Sequence, residues 1–474
     1  MKVRSSRRTG QWRSGLAPFA IAVASLLCAV NVSRGEPLTR GGAVARALRQ
    51  NPQVAAARAA EAQASARRDQ AQAARFPTIS VTLGTGPSLK ARLVPGTAVE
   101  STENPYGDVG LDDLSIVLGG QLEVLQPIYT FGKIGHRERA ATHEIRARRA
   151  QTEMTRAELA VTVAQLYEGL LFARAAESFF LEMERWLART IEDTRQDLSA
   201  DSDITEQDLL RLQTAMAALQ ISIHQAQAAK RQAEAGIVAY LALPIGTPIE
   251  PKEAGFDLLP TAPADRAPLI ELALDQRPEL RALSEGSAAY QALARAESAG
   301  NLPDFFALAF ASAAYTPGRE AVNTRYVQDP LHGFYPGLLV GARWQITGSM
   351  ASERAEENEA RARELAQTRR WAEMGLPAEV TRAFEDVQRA KKDAEEADKA
   401  IGLAKQWVVR ASADFAIGLG DAREVTDASS AYVQLRVASF DAKFRHNVAL
   451  AELARATGTF NGVDGSPFYP AREK

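Results

Sequence analysis

The segment Ala47-Leu48-Arg49-Gln50-Asn51-Pro52 decides the fold of this chain, because it returns 226 residues later as Ala273-Leu274-Asp275-Gln276-Arg277-Pro278. The same offset carries Pro77 onto Pro303 without a gap. Each copy contains a short helical segment, a proline, a long Ala-rich helical segment, a second proline and an alternating run. Self-similarity of this length predicts two tandem structural units with the same architecture.

Two runs in each unit alternate apolar with polar residues, a period of two that is typical of strands with one apolar face. We expect strands at about 78–84 and 115–125 in the first unit, and at about 305–315 and 338–346 in the second. These runs are close to the ~9–11 residues of a tilted transmembrane strand. In the fourth strand the predicted apolar face consists of Leu338, Val340, Ala342, Trp344 and Ile346.

Long helical periodicity follows each pair of strands. It predicts helices at 135–198 and 205–241 in the first unit, and at 351–415 and 422–456 in the second. At 1.5 Å per residue the first would be roughly 95 Å long, which exceeds the width of a compact domain. The segment Gly375-Leu376-Pro377 predicts a kink or break in the third, because proline lacks the backbone N–H.

The first 35 residues have the features of a secretory signal peptide: a basic start, an apolar stretch from Leu16 to Val30, and small residues in Ser33-Arg34-Gly35. Cleavage there would remove Cys28, the only cysteine, so no disulfide is expected in the mature chain. The chain has 56 Lys and Arg against 58 Asp and Glu, and the leader contains basic but no acidic residues. The mature chain is therefore acidic, which disfavours binding to nucleic acid.

These patterns divide the chain into five parts. They are a signal peptide (1–35), a first unit (36–243), a Pro/Gly-rich connector (244–268), a second unit (269–460) and a C-terminal tail (461–474). Four strands cannot close a barrel, and an open sheet in lipid would leave its edge groups unsatisfied. Chains must therefore pool strands: a dimer supplies eight, which leave an interior filled by side chains, and a trimer supplies twelve, enough for an open lumen. The alternative is a soluble coiled-coil protein with two small sheets.

With these features the chain resembles the TolC-like outer-membrane efflux protein family, also called outer membrane factors, over nearly all of the mature sequence. Their order and duplication carry the resemblance more than any single motif. The segments concerned are Ala47 to Pro52 with the helix ending at Pro77; Leu125-Gln126-Pro127-Ile128-Tyr129 with Phe131-Gly132-Lys133; the second copy through Pro303; and Phe415-Ala416-Ile417-Gly418 with Glu424-Val425 and Asp427-Ala428.

The resemblance implies a mainly α protein with transmembrane β-strands, in which a homotrimer forms a 12-stranded outer-membrane barrel and a long α-helical periplasmic tunnel. Its location would be the outer membrane of a Gram-negative-type bacterium, in contact with lipid and with most of its mass in the periplasm. It would be a passive exit duct in a tripartite efflux or type I secretion system, docked to a periplasmic adaptor (membrane-fusion) protein and an inner-membrane pump. The alternative function is a periplasmic coiled-coil adaptor or scaffold without a barrel.

No enzymatic function is expected. The five histidines form no metal-spaced pair, and the sequence contains neither a nucleophile elbow nor a phosphate-binding loop. We therefore predict no catalytic residue, no cofactor-binding residue and no metal ligand.

The resemblance assigns a periplasmic constriction to Glu424 and Asp427, which share a helix face at a spacing of three. It assigns the tip turns and adaptor docking to Ser202, Asp208, Phe415, Gly418 and Gly420. A structural alternative is that Asp421 and Glu424 form a helix capping box. The first turn departs from the family pattern, since serine stands at 202 in place of glycine and Arg211 occupies the position that matches Asp427.

Overall fold

The computed structural model describes residues 38–92, 110–198, 204–260, 265–320, 328–346 and 348–459. The predicted signal peptide and the predicted C-terminal tail lie outside these residues. Within them, the order helix, helix, strand, strand, helix, helix occurs twice. The elements are α1 (Arg40–Gln50), α2 (Pro52–Ala73), β1 (Thr78–Leu89), β2 (Leu114–Tyr129), α3 (Lys133–Leu198), α4 (Glu206–Tyr240), α5 (Ala267–Gln276), α6 (Pro278–Ser298), β3 (Asp304–Tyr315), β4 (Gly333–Arg343), α7 (Met350–Ala416) and α8 (Ala422–Ala456).

The duplicated Asn51-Pro52 and Arg277-Pro278 pairs mark the junctions α1–α2 and α5–α6. Asn51 ends α1 and caps α2, because its side chain accepts a hydrogen bond of 2.8 Å from the N–H of Gln53. Pro52 and Pro278 occupy the first helical position, where a backbone N–H would have no acceptor within the helix. The motif therefore turns the chain sharply between a short and a longer helix.

The four strands form one antiparallel sheet in the order β1-β2-β3-β4. One face carries the apolar residues of the alternating runs, and these are exposed in the single chain: Ile79 by 63%, Val81 by 65% and Leu83 by 79%. The other face is more polar and includes the row Thr82–Gln121–Ser312–Tyr335, which lies in register across the sheet. Strands β1 and β4 each have a neighbour on one side only.

The boundaries of the strands differ from the predicted ranges. β1 continues to Leu89, and β2 extends to Tyr129 with a register irregularity after Pro127. The prediction for β4 was wrong at both ends, because the strand spans Gly333–Arg343 and Trp344 lies beyond it. Its position at the sheet edge allows Pro336 within the strand, since an edge strand can lack a ladder donor. The indole of Trp344 instead donates a 2.8 Å hydrogen bond to the carbonyl of Asn301.

The helices α3 and α7 contain 66 and 67 residues, so each is about 100 Å long. Each changes partner along its length: α3 contacts α2, α6 and α4, and α7 contacts α6 and α8. Close to the sheet, Arg149 of α3 pairs with Glu61 of α2 at 3.1 Å. Farther away, Glu177 of α3 pairs with Lys230 of α4 at 2.8 Å. The half of the chain distant from the sheet thus consists of the two helical hairpins α3–α4 and α7–α8.

Of the predicted kink or break at Pro377, the break is wrong, because helix α7 passes through the proline as one continuous element. The neighbouring Leu376 and Val380 are buried and hold the helix against its partners. Packing on both sides of the proline therefore outweighs the loss of one backbone hydrogen bond. Among the described residues, no helix combines the length and the apolarity that crossing a membrane would need.

A buried polar cluster joins the middle of the long helices to the connector. Glu168 on α3 is 1% exposed and pairs with the guanidinium of Arg40 at the start of α1. Asn447 on α8 donates a 2.8 Å hydrogen bond to Glu168 and accepts one of 3.0 Å from the N–H of Leu259. Tyr167 donates to Glu253 of the connector. These bonds fix α1, α3, α8 and the connector to one another.

Candidate functional site at the hairpin turns

The turn between α7 and α8 is built around Gly418, whose φ of +73° is strained for a residue with a side chain. The amides of Leu419 and Gly420 both donate to the carbonyl of Asp414, at 2.8 and 3.1 Å. Phe415 is buried in the same hydrophobic cluster as Val425 of α8. The turn therefore reverses the chain within a few residues and leaves the two helices packed side by side.

Asp421 caps α8, since its side chain accepts a 2.9 Å hydrogen bond from the N–H of Glu424. The carboxylate of Glu424 does not complete a reciprocal box. Its Oε1 lies 3.5 Å from the indole nitrogen of Trp407 on α7. Capping at this turn therefore accounts for Asp421 and leaves the carboxylate of Glu424 free for another role.

Glu424 and Asp427 lie together on one exposed face of α8, while the intervening Val425 and the next residue, Ala428, are buried. The nearest cation to Asp427 is Arg423, whose Nε is 3.8 Å from Oδ2, and both side chains are largely exposed. Such an exposed pair contributes little to stability. The assignment of Glu424 and Asp427 to a constriction stays a prediction.

The turn between α3 and α4 contains Ser202, which lies outside the described residues. After it, Thr205 and Asp208 form a reciprocal capping box at the start of α4. The N–H of Asp208 donates to Thr205 Oγ1 at 3.3 Å, and the N–H of Thr205 donates to Asp208 Oδ2 at 3.0 Å. Arg211 lies 3.5 Å from the same carboxylate, so it acts here as a local partner of Asp208.

Asp208 also joins the two hairpins, because its buried carboxylate accepts a hydrogen bond from the backbone N–H of Ala422 at the start of α8. Burial alone would raise the pKa of Asp208. The hydrogen bonds from Thr205 and Ala422, together with the charge of Arg211, outweigh burial and lower that pKa. The carboxylate is therefore held in its charged form between two helix N-termini, where negative charge is favoured.

Sequence reasoning found Asp208 as a tip residue but missed Thr205, Trp407 and Ala422. The Thr-x-x-Asp spacing at 205–208 is a capping-box signal that could have identified Thr205. No local pattern connects Asp208 with Ala422, since they are 214 positions apart and the contact uses a backbone N–H. Among the described residues, no group of three or more His, Cys, Asp and Glu side chains is arranged to hold a metal ion.

Residues 43–243 match the family model described as outer membrane efflux protein. Three solved outer membrane proteins share the fold across most of the chain. VceC from Vibrio cholerae has a TM-score of 0.70 at 17% identity, covering 88% of this chain and 96% of VceC. The resemblance to the outer membrane efflux proteins is confirmed.

Two further outer membrane channels agree with this assignment. CmeC of Campylobacter jejuni has a TM-score of 0.72 at 14% identity, covering 90% of this chain and 86% of CmeC. MtrE of Neisseria gonorrhoeae, described in its open state, has a TM-score of 0.70 at 15% identity and 88% coverage of both chains. No curated protein matches the sequence significantly. At these identities the common property is the fold of outer membrane efflux channels.

Proposed function

We propose that this chain is the outer-membrane exit duct of a tripartite efflux or type I secretion system, a passive conduit for small molecules or polypeptides. The observation that carries the proposal is the four-stranded sheet with an exposed apolar face and two edge strands, β1 and β4, each lacking one neighbour among the described residues. In lipid the N–H and C=O groups of those edges need partners. Further copies of the same chain can supply them.

In the proposed assembly three copies form a homotrimer with a 12-stranded barrel, and β1 of each copy pairs with β4 of the next. The apolar face then contacts lipid and the polar face lines the lumen. The units 36–243 and 269–460 each give two strands and two long helices, joined by the connector 244–268. Residues 1–35 are removed on export, and 461–474 form a tail. The long helices extend into the periplasm as a tunnel.

The orientation of the sheet can be tested with one charge placed on each face. We expect Val81→Arg to reduce the yield of heat-modifiable trimer in the outer membrane, because arginine facing the hydrocarbon costs about 2–4 kcal/mol near the midplane. Thr82→Arg, the adjacent residue on the polar face, is the matched control and should assemble and conduct in planar bilayers. Equal assembly of both variants would contradict the proposed orientation. A soluble periplasmic monomer of the unaltered chain would overturn the duct and favour the adaptor alternative.

At the far end of the tunnel, the hairpin turns form the mouth that docks a periplasmic adaptor, and an inner-membrane pump supplies the energy. Adaptor docking is assigned to Ser202, Asp208, Phe415, Gly418 and Gly420. Glu424 and Asp427 contribute six carboxylates to a constriction in the trimer. A ring of like negative charges favours cations over anions.

Single-channel conductance of the Glu424→Ala/Asp427→Ala variant tests this constriction. We expect weaker cation preference and weaker block by divalent cations than in the unaltered channel. The control is Glu395→Ala/Glu396→Ala, which removes two exposed carboxylates from α7 away from the turn. Unchanged cation preference and unchanged divalent block in the first variant would reject the assignment.

A further inference from the structure

A cavity of about 200 Å³ opens at the end of the sheet that adjoins the helices. It combines apolar and cationic walls, with one carboxylate among them. The residues that matter here are Leu125, Phe306, Lys133, Arg137, Arg343 and Asp304. Leu125 and Phe306 belong to the polar face of the sheet, because they alternate with the apolar positions Val124 and Phe305. The cavity therefore lies on that face, where the strands meet the long helices.

Two of the three cations at this cavity have carboxylate partners. Nζ of Lys133 lies 2.9 Å from Oδ1 of Asp304 and donates to the carbonyl of Leu302 at 2.7 Å. Arg137 lies 3.4 Å from a carboxylate oxygen of Glu297. Among the described residues, Arg343 has no carboxylate within 4 Å, and its guanidinium instead stacks over the ring of Phe306 at 5.3 Å. The cavity thus has an excess of one positive charge per chain.

The ring of Phe306 lies close to Gly341 of the neighbouring strand β4. Phe306 pairs with Gly341 in the β3–β4 register, and its Cζ lies 3.1 Å from the place that a β-carbon at 341 would occupy. Because Gly341 has no side chain, the ring can cross β4, and it lies there beneath the guanidinium of Arg343. An aromatic surface beneath a cation of this kind suits a flat ligand with a negative group.

The positive charge continues into the first turns of α3. His136 lies one turn after Lys133, and its pKa is lowered by burial and then by the positive charges of Arg139 and Arg295. His136 therefore remains neutral near neutral pH and does not add to the charge, while the arginines around it do. This end of the sheet is cationic, in contrast to the acidic face of α8 at Glu424 and Asp427.

We propose that Arg343, Phe306 and Arg137 form a binding site for amphipathic organic anions, of the aromatic carboxylate or sulfonate class, at the junction of barrel and tunnel. The inference rests on the proposed function, in which the polar face of the sheet lines the lumen. The aromatic part of the ligand packs on Phe306 and Leu125, and the anionic group accepts hydrogen bonds from the two guanidinium groups. Three such sites surround the lumen in a trimer. Cargo would therefore pass an acidic mouth first and a cationic junction second.

Block of single-channel current by naphthalene-2-sulfonate tests the site with the full-length trimer in planar bilayers. We expect this probe to block the channel at lower concentration than inorganic sulfate, which lacks the aromatic part. Arg343→Gln should raise the half-blocking concentration about tenfold, the effect of losing one charge-assisted contact. Arg343→Lys keeps the charge but loses the planar stacking, and should give an intermediate value. The matched control, Arg382→Gln, removes an exposed arginine about 50 Å from the start of α7 and should leave block unchanged.

The outcomes separate this site from the duct itself. A conducting channel that naphthalene-2-sulfonate blocks equally in the unaltered protein and in Arg343→Gln overturns the site and leaves the duct intact. Equal potency of naphthalene-2-sulfonate and sulfate also overturns it, since it removes the role of Phe306. Absence of any conductance from the unaltered trimer overturns the duct, and the site with it. If Arg343→Gln yields no trimer, Phe306→Leu provides the same comparison, with the sulfonate selectively losing potency.

Discussion

Replacing Asp208 with alanine should separate the two hairpin turns. The carboxylate accepts hydrogen bonds from Thr205 at the start of α4 and from the N–H of Ala422 at the start of α8. Loss of the helix cap costs about 1 kcal/mol, and loss of a hydrogen bond to a charged group about 1.5–3 kcal/mol. Arg211 is half exposed, so its pairing adds little. Only the bond to Ala422 joins the two hairpins, so its loss of about 1.5–3 kcal/mol raises the population of separated turns by roughly 10- to 150-fold.

Hydrogen–deuterium exchange, followed by mass spectrometry, measures this separation directly. In Asp208→Ala, the amides at the beginning of α8 should exchange faster, while those of the buried cluster around Glu168 keep their rates. Asp427→Ala is the matched control, because it removes an exposed carboxylate from the same turn without touching Ala422. Folded Asp208→Ala protein with unchanged exchange in the first turn of α8 would refute this link.

The pH dependence of the same link has a defined sign. The pKa of Asp208 is lowered in the joined state, so its charged form stabilises contact between the turns at every pH above the ordinary carboxylate value of 3.8. That contribution is lost as the pH falls through the lowered pKa. After correction for intrinsic exchange rates, protection at Ala422 should be constant between pH 5 and 8 and should fall only in stronger acid. A fall in protection centred near pH 6 would contradict the assignment to Asp208.

Three further substitutions test the core, the strand ends and α7. Glu168→Leu should destabilise the chain by about 3 kcal/mol in denaturant melts, because it leaves the partly buried Arg40 with only the more distant Glu253 as a partner. The double variant with Arg40→Leu should recover much of the loss. Asp329→Asn should speed proteolytic cleavage between β3 and β4, because the buried carboxylate of Asp329 accepts a 2.6 Å hydrogen bond from Arg319 in that connection. Unchanged cleavage would argue against a stabilising role of this bond. Pro377→Ala should raise the melting temperature, since proline costs up to ~3 kcal/mol inside a helix, and a decrease would contradict a continuous α7.

The spacing at which apolar residues recur along the sequence predicts most of the helices and strands. The alternation of Ile79, Val81 and Leu83 indicates a strand with an apolar face. The four-three-four spacing of apolar residues in α3 indicates its buried seam, formed by Leu159, Val163, Leu166 and Leu170. These patterns succeed because burial on one face selects residues at a fixed repeat. The order of elements could therefore be predicted from the sequence.

Signals of local conformation were less dependable than periodicity. The Gly333-Phe334-Tyr335-Pro336-Gly337 segment resembles a loop, yet it begins β4, because pairing with β3 overrides the weak strand propensity. Pro377 predicted a break that burial of its neighbours prevents. The bond from Ala422 to Asp208 could not be anticipated, since it depends on the relative placement of two hairpins and not on any local pattern.

The buried cluster at Glu168 and Asn447 fixes α8 at one point, so any tilt of the helix turns about that point. From Asn447 to Ala422 the helix extends about 38 Å, so a tilt of about 5° at the cluster moves its far end by about 3 Å. A displacement of that size exceeds the range of a hydrogen bond. If α8 tilted alone, Ala422 would leave Asp208. The contact between Ala422 and Asp208 therefore survives a tilt only if both hairpins of the chain move together as one rigid arm.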